Sequence, residues 1–157
     1  MPHLKVTYKM IPFESLSPSI LYDTLALREE VFNIEQQCNV ADLDSLDKHA
    51  IHAIGQCDGI VCAVARILPP DVYKSNVVSF GRFAVKKKYR RKKLGYQLMD
   101  KVVNYINTHY PNLPIEISAQ LYLKKFYTRF RFKTIGQPYD EGGILHVKMV
   151  AAPHISE

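Results

Sequence analysis

Residues 77–99 read VVSFGRFAVKKKYRRKKLGYQLM, and the division of this stretch decides the fold. Val77 to Val85 reads as a strand, Lys86 to Lys93 as a basic turn, and a helix opens behind it. Seven of the eight residues from Lys86 to Lys93 are Lys or Arg. The whole chain carries a formal +6, and outside this turn 14 basic residues face 15 acidic ones, so the positive charge is local. A strand that delivers a basic loop onto a helix N-terminus makes an anion site, because first-turn N–H groups have no partner within the helix. The ligand this favours carries phosphate.

Working outward, Leu94, Leu98, Val102, Tyr105 and His109 share one face of the helix, which Pro111 must end. Pro114 to Ser118 is a short strand, and Leu121 to Phe130 a helix with Tyr122, Phe126 and Phe130 on one face. Phe132–Gln137 and Ile144–Val150 are closing strands around Asp140-Glu141-Gly142-Gly143. Upstream, Ala50–Cys57 and Ile60–Leu68 form a hairpin, since Asp58-Gly59 supplies the positive φ angles of a type I′ turn. Ser17-Pro18 gives an N-cap with proline at the first helical position, starting a helix to about Ile34. Residues 35–50 are polar and read as a surface loop with one helical turn; Lys5 to Met10 is a first strand. Strands alternating with helices imply a mixed sheet covered on both faces, with a parallel crossover from Val77 to Ser118.

A chain of 157 residues fits one domain, 1–157, able to bury about two-thirds of its unfolded surface. No run of ~20 apolar residues suggests a membrane span, and MPHLKVTYKM lacks the apolar core of a leader. Three cysteines at no metal-like spacing suit reduced thiols. The expectation is a cytoplasmic protein. The run Asp42, Asp44, Asp47, His49 and His52 invites a metal reading, but the central glycine and terminal glutamate of a calcium loop are absent. No metal is assigned.

These motifs together resemble the GNAT acetyltransferase superfamily across nearly the whole chain. The family's cofactor signature is Arg or Gln, two residues, Gly, one residue, Gly or Ala; here it reads Arg90-Arg91-Lys92-Lys93-Leu94-Gly95. Lys93 replaces the first glycine, and the backbone N–H groups that hold a pyrophosphate survive that change. Phe126-Tyr127-Thr128-Arg129-Phe130-Arg131-Phe132 is similar to the Phe-Tyr, three residues, Gly-Phe motif, with Arg131 for glycine. Leu27-Arg28 through Glu35-Gln36 and Tyr139 through Met149 resemble the ElaA-like branch, as do Ala65-Arg66-Ile67, Gly81-Arg82-Phe83 and Ala119-Gln120.

The resemblance implies an α/β fold of mixed, mostly antiparallel sheet with one splayed parallel pair and helices on both faces. It implies an acetyl-CoA-dependent N-acetyltransferase in which an amine of a small molecule or peptide attacks the thioester directly. Phe83, Ala84 and Val85 would align the pantetheine arm. Arg90, Arg91, Lys92, Lys93, Leu94, Gly95 and Tyr96 would hold the phosphates, and Gln120, Phe126 and Tyr127 would complete the cofactor site. Tyr127 would protonate the departing thiolate. The acceptor pocket would comprise Glu35, Gln36, Asp44, His52, Arg82, Glu141 and His146, its acidic excess suiting a cationic amine. The base is to be sought among Glu35, His52, Glu116, Glu141 and His146, with Glu35 and His146 favoured because histidine titrates near neutrality.

Two other classes remain open from sequence alone. One is a catalytically silent acyl-CoA sensor; the other is a nucleic-acid binder using Lys86 to Lys93. Against the second, Tyr89 is the single aromatic in the run and no recognition motif accompanies it. Whether the protein is a monomer or a homodimer is not encoded in any motif.

Overall fold

The computed structural model describes residues 4–153. Strand β1 (Thr7–Pro12) and the hairpin β2 (Ile51–Cys57) and β3 (Ile60–Leu68) join β4 (Ser79–Val85) in an antiparallel sheet of order β1-β2-β3-β4. The Asp58-Gly59 turn has φ of 51° and 78°, the left-handed pair that holds this hairpin. Helix α1 (Pro18–Arg28) covers one face, and helix α2 (Leu94–His109) the other. Strands β5 (Ile115–Gln120), β6 (Lys133–Glu141) and β7 (Ile144–Ala151) form a second antiparallel sheet, order β5-β7-β6, with the short helix α3 (Lys124–Thr128) between β5 and β6.

The two sheets meet at a seam one bridge long. Val78 pairs with Ile115 in parallel, through Glu116 N–H to the Val78 carbonyl at 2.9 Å and Val78 N–H to the Pro114 carbonyl at 3.1 Å. Beyond it β4 and β5 separate. On its other side β4 is bulged, with Arg82 and Phe83 standing opposite Ala65 alone and Arg82 at φ 51°. An extra residue bends a strand and leaves backbone groups out of the ladder. The splayed, mixed sheet expected from sequence is therefore the one observed.

Two cores lie on the two sides of the first sheet. Leu94, Leu98, Met99, Val102 and Ile106 of α2 are buried with Ala53, Ala63, Ala65 and Ile67, and Leu27 and Val31 with Ile54, Val64 and Ala84. The α2 face differs from expectation at one end. Met99 and Ile106 are buried, whereas Tyr105 and His109 stack on each other at 3.9 Å along the flank. Strand β1 starts two residues later than read and includes Pro12, which an edge strand tolerates. The helix expected over 121–130 is a single 3-10 turn, Leu121–Leu123, followed by α3, and Tyr122 is exposed. Strand β6 runs on through Pro138 at the outer edge, bulged between Ile135 and Tyr139.

Helix α1 begins as the sequence dictates, with Ser17 Oγ accepting from Ile20 N–H and Pro18 behind it. The expected continuation to Ile34 is helical but wound wider. Glu29–Glu35 is a π turn, with Gln36 N–H reaching the Val31 carbonyl at 3.0 Å. Val31 stays in the core while Glu35 and Gln36 turn toward the seam.

Residues 36–50 form the expected surface loop with one helical turn, the 3-10 turn Leu46–His49, but three of its carboxylates are drawn onto arginines beneath it. Arg28, 1% exposed, donates from Nε to Asp42 at 2.8 Å and from both Nη atoms to Asp47 at 2.6 and 3.1 Å. Arg66 holds Asp44 at 2.6 and 2.7 Å and Asp47 at 3.2 Å. Arg82 Nε lies 2.8 Å from Asp42 off the hydrogen-bond line, and its Nη2 donates to the Asp42 carbonyl at 2.9 Å. Breaking one member of such a buried set costs about 3–5 kcal/mol, because the partner charge is left without compensation.

The same set fixes the acid response. Hydrogen bonds from Arg66 hold the Asp44 carboxyl down at about 2, against burial. Burial works upward on Asp47, yet Arg28 and Arg66 keep it below the usual carboxylate range. Both therefore contribute stability that is complete above about pH 4 and lost as pH falls toward 2. Burial pushes the His52 imidazole down, so an unfolded chain takes a proton below about pH 6.5 that the folded site refuses. That also removes stability as pH falls. Urea midpoints should decline from pH 7 to 3 in two stages, and His52→Asn should flatten the stage above pH 4 while keeping the lower one. A midpoint constant down to pH 4 in the parent would refute the assignment.

Candidate active site

The splay opens two clefts that share one residue. The larger, about 430 Å³, lies between the bulged end of β4 (Phe83, Ala84, Val85), the basic loop (Arg90, Arg91, Lys93), the start of α2 (Leu94, Gly95) and the π turn (Val31, Glu35, Gln36). Tyr89, Tyr122 and Leu123 complete it. The smaller, about 140 Å³, is walled by Phe32, Cys38, Val40, Ala41 and Asp42 on one side and by Glu141, Ile144 and His146 on the other, with Arg82 and Gln120 between. Gln36 borders both. Its side-chain amide exchanges hydrogen bonds with that of Gln120 at 3.0 and 3.4 Å, spanning the gap between the π turn and β5.

The basic loop is built for an anion. Arg91 and Lys93 adopt φ of 63° and 64°, so Lys93 takes the left-handed conformation of the glycine it replaces. For an L-residue this costs roughly 1–2 kcal/mol. No side chain caps α2, leaving the N–H groups of its first turn available beside Arg91 and Lys93. A Cβ on Gly95 would make only ordinary contact with the Phe83 ring, at 3.6 Å. Arg90 lines the larger cleft with its guanidinium already engaged: its Nε donates to the Val85 carbonyl at 2.9 Å and its Nη atoms to Glu35 at 2.8 and 2.9 Å. It ties the loop to β4 and the π turn. Lys92 leans over the Tyr89 ring, Tyr96 packs on Phe130, and Phe126 backs Phe83, so these three border neither cleft.

In the smaller cleft His146 is 8% exposed. Its Nδ1 is 2.8 Å from the Ile144 carbonyl, which can only accept, so Nδ1 carries the proton and Nε2 of the neutral ring keeps its lone pair. That Nε2 is 3.3 Å from the Glu141 carboxylate, which Ser118 Oγ also approaches at 3.3 Å; Ser118 in turn is bonded to Tyr139. Tyr127 is 6% exposed, packed on Phe80 and Phe132, and burial pushes its phenol up, so the hydroxyl keeps its proton. Neither cleft is bordered by Tyr127, and among the described residues no side-chain hydrogen bond engages that hydroxyl.

Three residues expected in the acceptor pocket stand outside the smaller cleft. Glu35 does not meet His146: the π turn aims it into the larger cleft, where the Arg90 hydrogen bonds hold its carboxyl down. Asp44 is taken by Arg66 and Arg82. His52 is fully buried, donating to the Asp47 carbonyl at 2.9 Å, because β2 turns it under the loop. Glu116 lies between Lys74 and Lys148, 3.4 Å from each. Among the described residues no three His, Cys, Asp or Glu side chains converge as metal ligands, since the acidic run faces arginines. The wall from Cys38 to Asp42 went unnoticed in the sequence; its one local signal is Asn33, whose amide donates to the Cys38 and Val40 carbonyls.

A split mixed sheet, a bulged β4 and a basic loop opening α2 define an acyltransferase class, and residues 51–152 match the family model for the acetyltransferase (GNAT) domain. The chain belongs to the GNAT acetyltransferase family. Within it, Protein ElaA of Escherichia coli K12 is 36% identical over 146 residues, 92% of this chain and 95% of its own. A UPF0039 protein of Synechocystis is 35% identical over 148 residues, 94% and 96% respectively. The crystal structure of E. coli ElaA superposes with a TM-score of 0.87 at 34% identity, covering 94% of this chain and 99% of that one. An acyl-CoA N-acyltransferase from Pseudomonas aeruginosa also gives 0.87, at 31% identity over 93% and 99%. No helix among the described residues is long and apolar enough to cross a membrane.

The left-handed Lys93 gives a direct test. Lys93→Gly should raise unfolding stability by up to about 1 kcal/mol in urea titrations, because the strain leaves while the backbone N–H stays. Coenzyme A affinity should fall less than tenfold by calorimetry, only a charge being lost. Destabilisation would show that the Lys93 side chain holds the loop.

Proposed function

We propose that this protein transfers an acetyl group from acetyl-CoA to the primary amine of a small molecule by direct attack. The observation that carries the reading is the junction at Gln36 of a basic cleft rimmed by first-turn N–H groups with a small cleft into which His146 presents Nε2 beside Glu141, the nitrogen that accepts a proton when the ring is neutral. Arg91, Lys93 and the first turn of α2 suit a diphosphate, and the edge of Phe83 to Val85 freed by the splay suits the amides of a pantetheine arm. The coenzyme would supply an acyl group already activated as a thioester.

The chain's own groups then manage protons and position. His146 Nε2 accepts the proton of the incoming ammonium, and the Glu141 carboxylate stabilises the imidazolium that results. This replaces the pairing of Glu35 with His146 read from sequence; Glu35 instead fixes Arg90 and so the loop. The donor for the departing thiolate is assigned to the Tyr127 hydroxyl on its Phe-Tyr motif and its retained proton; the residue borders neither cleft, so the role rests on the variant below. Gln36 and Gln120 hold the two clefts in register.

Thiol release from acetyl-CoA against a panel of amines tests the reading. His146→Gln should lower kcat at least a hundredfold, the scale of general-base assistance, with coenzyme A affinity within a few-fold of the parent. Tyr127→Phe should lower kcat roughly ten- to a thousandfold and change stability by less than about 1.5 kcal/mol. Parent-like turnover in Tyr127→Phe would return that tyrosine to the core. Coenzyme binding with no thiol release toward any amine would favour an acyl-CoA sensor.

A further inference from the structure

Charge in the smaller cleft is simpler than its sequence composition suggests. Asp42, the acidic residue of its loop wall, lies 2.8 Å from both Arg28 and Arg82. With Arg66, Asp44 and Asp47 these make three arginines against three aspartates, and the wall contributes no net charge. Glu141 is different. Its carboxylate faces the Nε2 of His146 and the Ser118 hydroxyl, and among the described residues no Lys or Arg is within ion-pair distance of it. Among the described residues Arg82 is the Lys or Arg lining the cleft, and its guanidinium charge is already met by Asp42, 2.8 Å from Nε, and by Asp44, 3.4 Å from Nη2.

Gln36 and Gln120 spend part of their amide capacity on each other, and the rest of the lining is Cys38 with the apolar Phe32, Val40, Ala41 and Ile144. Space is limited to about 140 Å³, close to the size of a cavity that holds benzene. The rim is also fixed. Gly142, at φ 64°, seats the β6–β7 turn against the loop so closely that a Cβ there would collide with Cys38 Sγ and stand 3.2 Å from Val40.

From this we infer that the acceptor is a primary ammonium on a short apolar body without a carboxylate. Glu141 receives the ammonium beside His146, and the apolar wall takes the hydrocarbon. An α-amino acid would bring a second carboxylate next to Glu141, where the cation lining the cleft, Arg82, already answers Asp42 and Asp44. A peptide N-terminus would bring its first amide into a small cleft whose polar groups are largely engaged with one another. The inference rests on the acyl-transfer reading above.

Matched acceptor pairs separate the classes: isopentylamine against leucine, and phenethylamine against phenylalanine, each with acetyl-CoA. The amine of each pair should exceed its amino acid at least a hundredfold in kcat/KM, the discrimination available when a buried polar group is left facing the wrong partner. Leucine or a peptide N-terminus reacting as fast as isopentylamine would overturn the inference. A binding measurement stands apart from turnover. Isopentylammonium titrated calorimetrically into the protein saturated with coenzyme A should bind, and Glu141→Gln should weaken it at least tenfold without altering coenzyme A affinity. Binding without any transfer would sink the acyl-transfer reading, and with it the acceptor role, leaving only the ligand class of the cleft; no binding, or equal binding of leucine, would sink the inference itself.

Discussion

A guanidinium with 1% exposure must have every charge answered, and the way Arg28 achieves this organises the molecule. It lies on the last turn of α1, above the sheet, and its partners Asp42 and Asp47 belong to the chain that leaves the π turn. Meeting those partners draws residues 36–50 down onto the sheet. Arg66 on β3 and Arg82 on the β4 bulge hold the same carboxylates from below. One ionic set thus joins α1, the loop, β3 and β4, and turns an otherwise polar connection into one wall of a cleft.

The seam between β4 and β5 is the second constraint. A continuous parallel ladder would have closed the gap in which both clefts lie. A single bridge at Val78 and Ile115 fixes the hinge point, and the bulge at Arg82 and Phe83 bends β4 away from it. Groove and strand edge both arise from pairing that stops early. The π turn contributes from above, because its wider winding brings Glu35 and Gln36 over the opening while Val31 remains in the core.

Much of the fold was legible because local chemistry and global topology agree. Asp58-Gly59, Ser17-Pro18 and Pro111 each mark an element boundary that the structure keeps. The basic loop was legible for the same reason, its charge being contiguous in sequence. The small cleft was not, because its walls come from segments about a hundred residues apart. Asp44 and His52 carry the residue types of a polar pocket, but only the fold decides that two arginines and a carbonyl claim them. Glu35 has the composition of a base, and its partner Arg90, 55 positions away, makes it a strut. Glycine's absence from positions 93 and 131 left the local path ambiguous; both residues adopt φ near 65–70° regardless. Their charged side chains are thus carried on a strained backbone.

The paired amides of Gln36 and Gln120 give the two clefts a common wall. A ligand that shifts Gln36 from one side alters the shape met by a ligand on the other. Thermodynamic reciprocity then requires the same factor in both directions: if the coenzyme tightens the acceptor's hold, the acceptor tightens the coenzyme's by an equal amount. The wall that separates the two compartments is also the channel through which each reads the occupancy of the other.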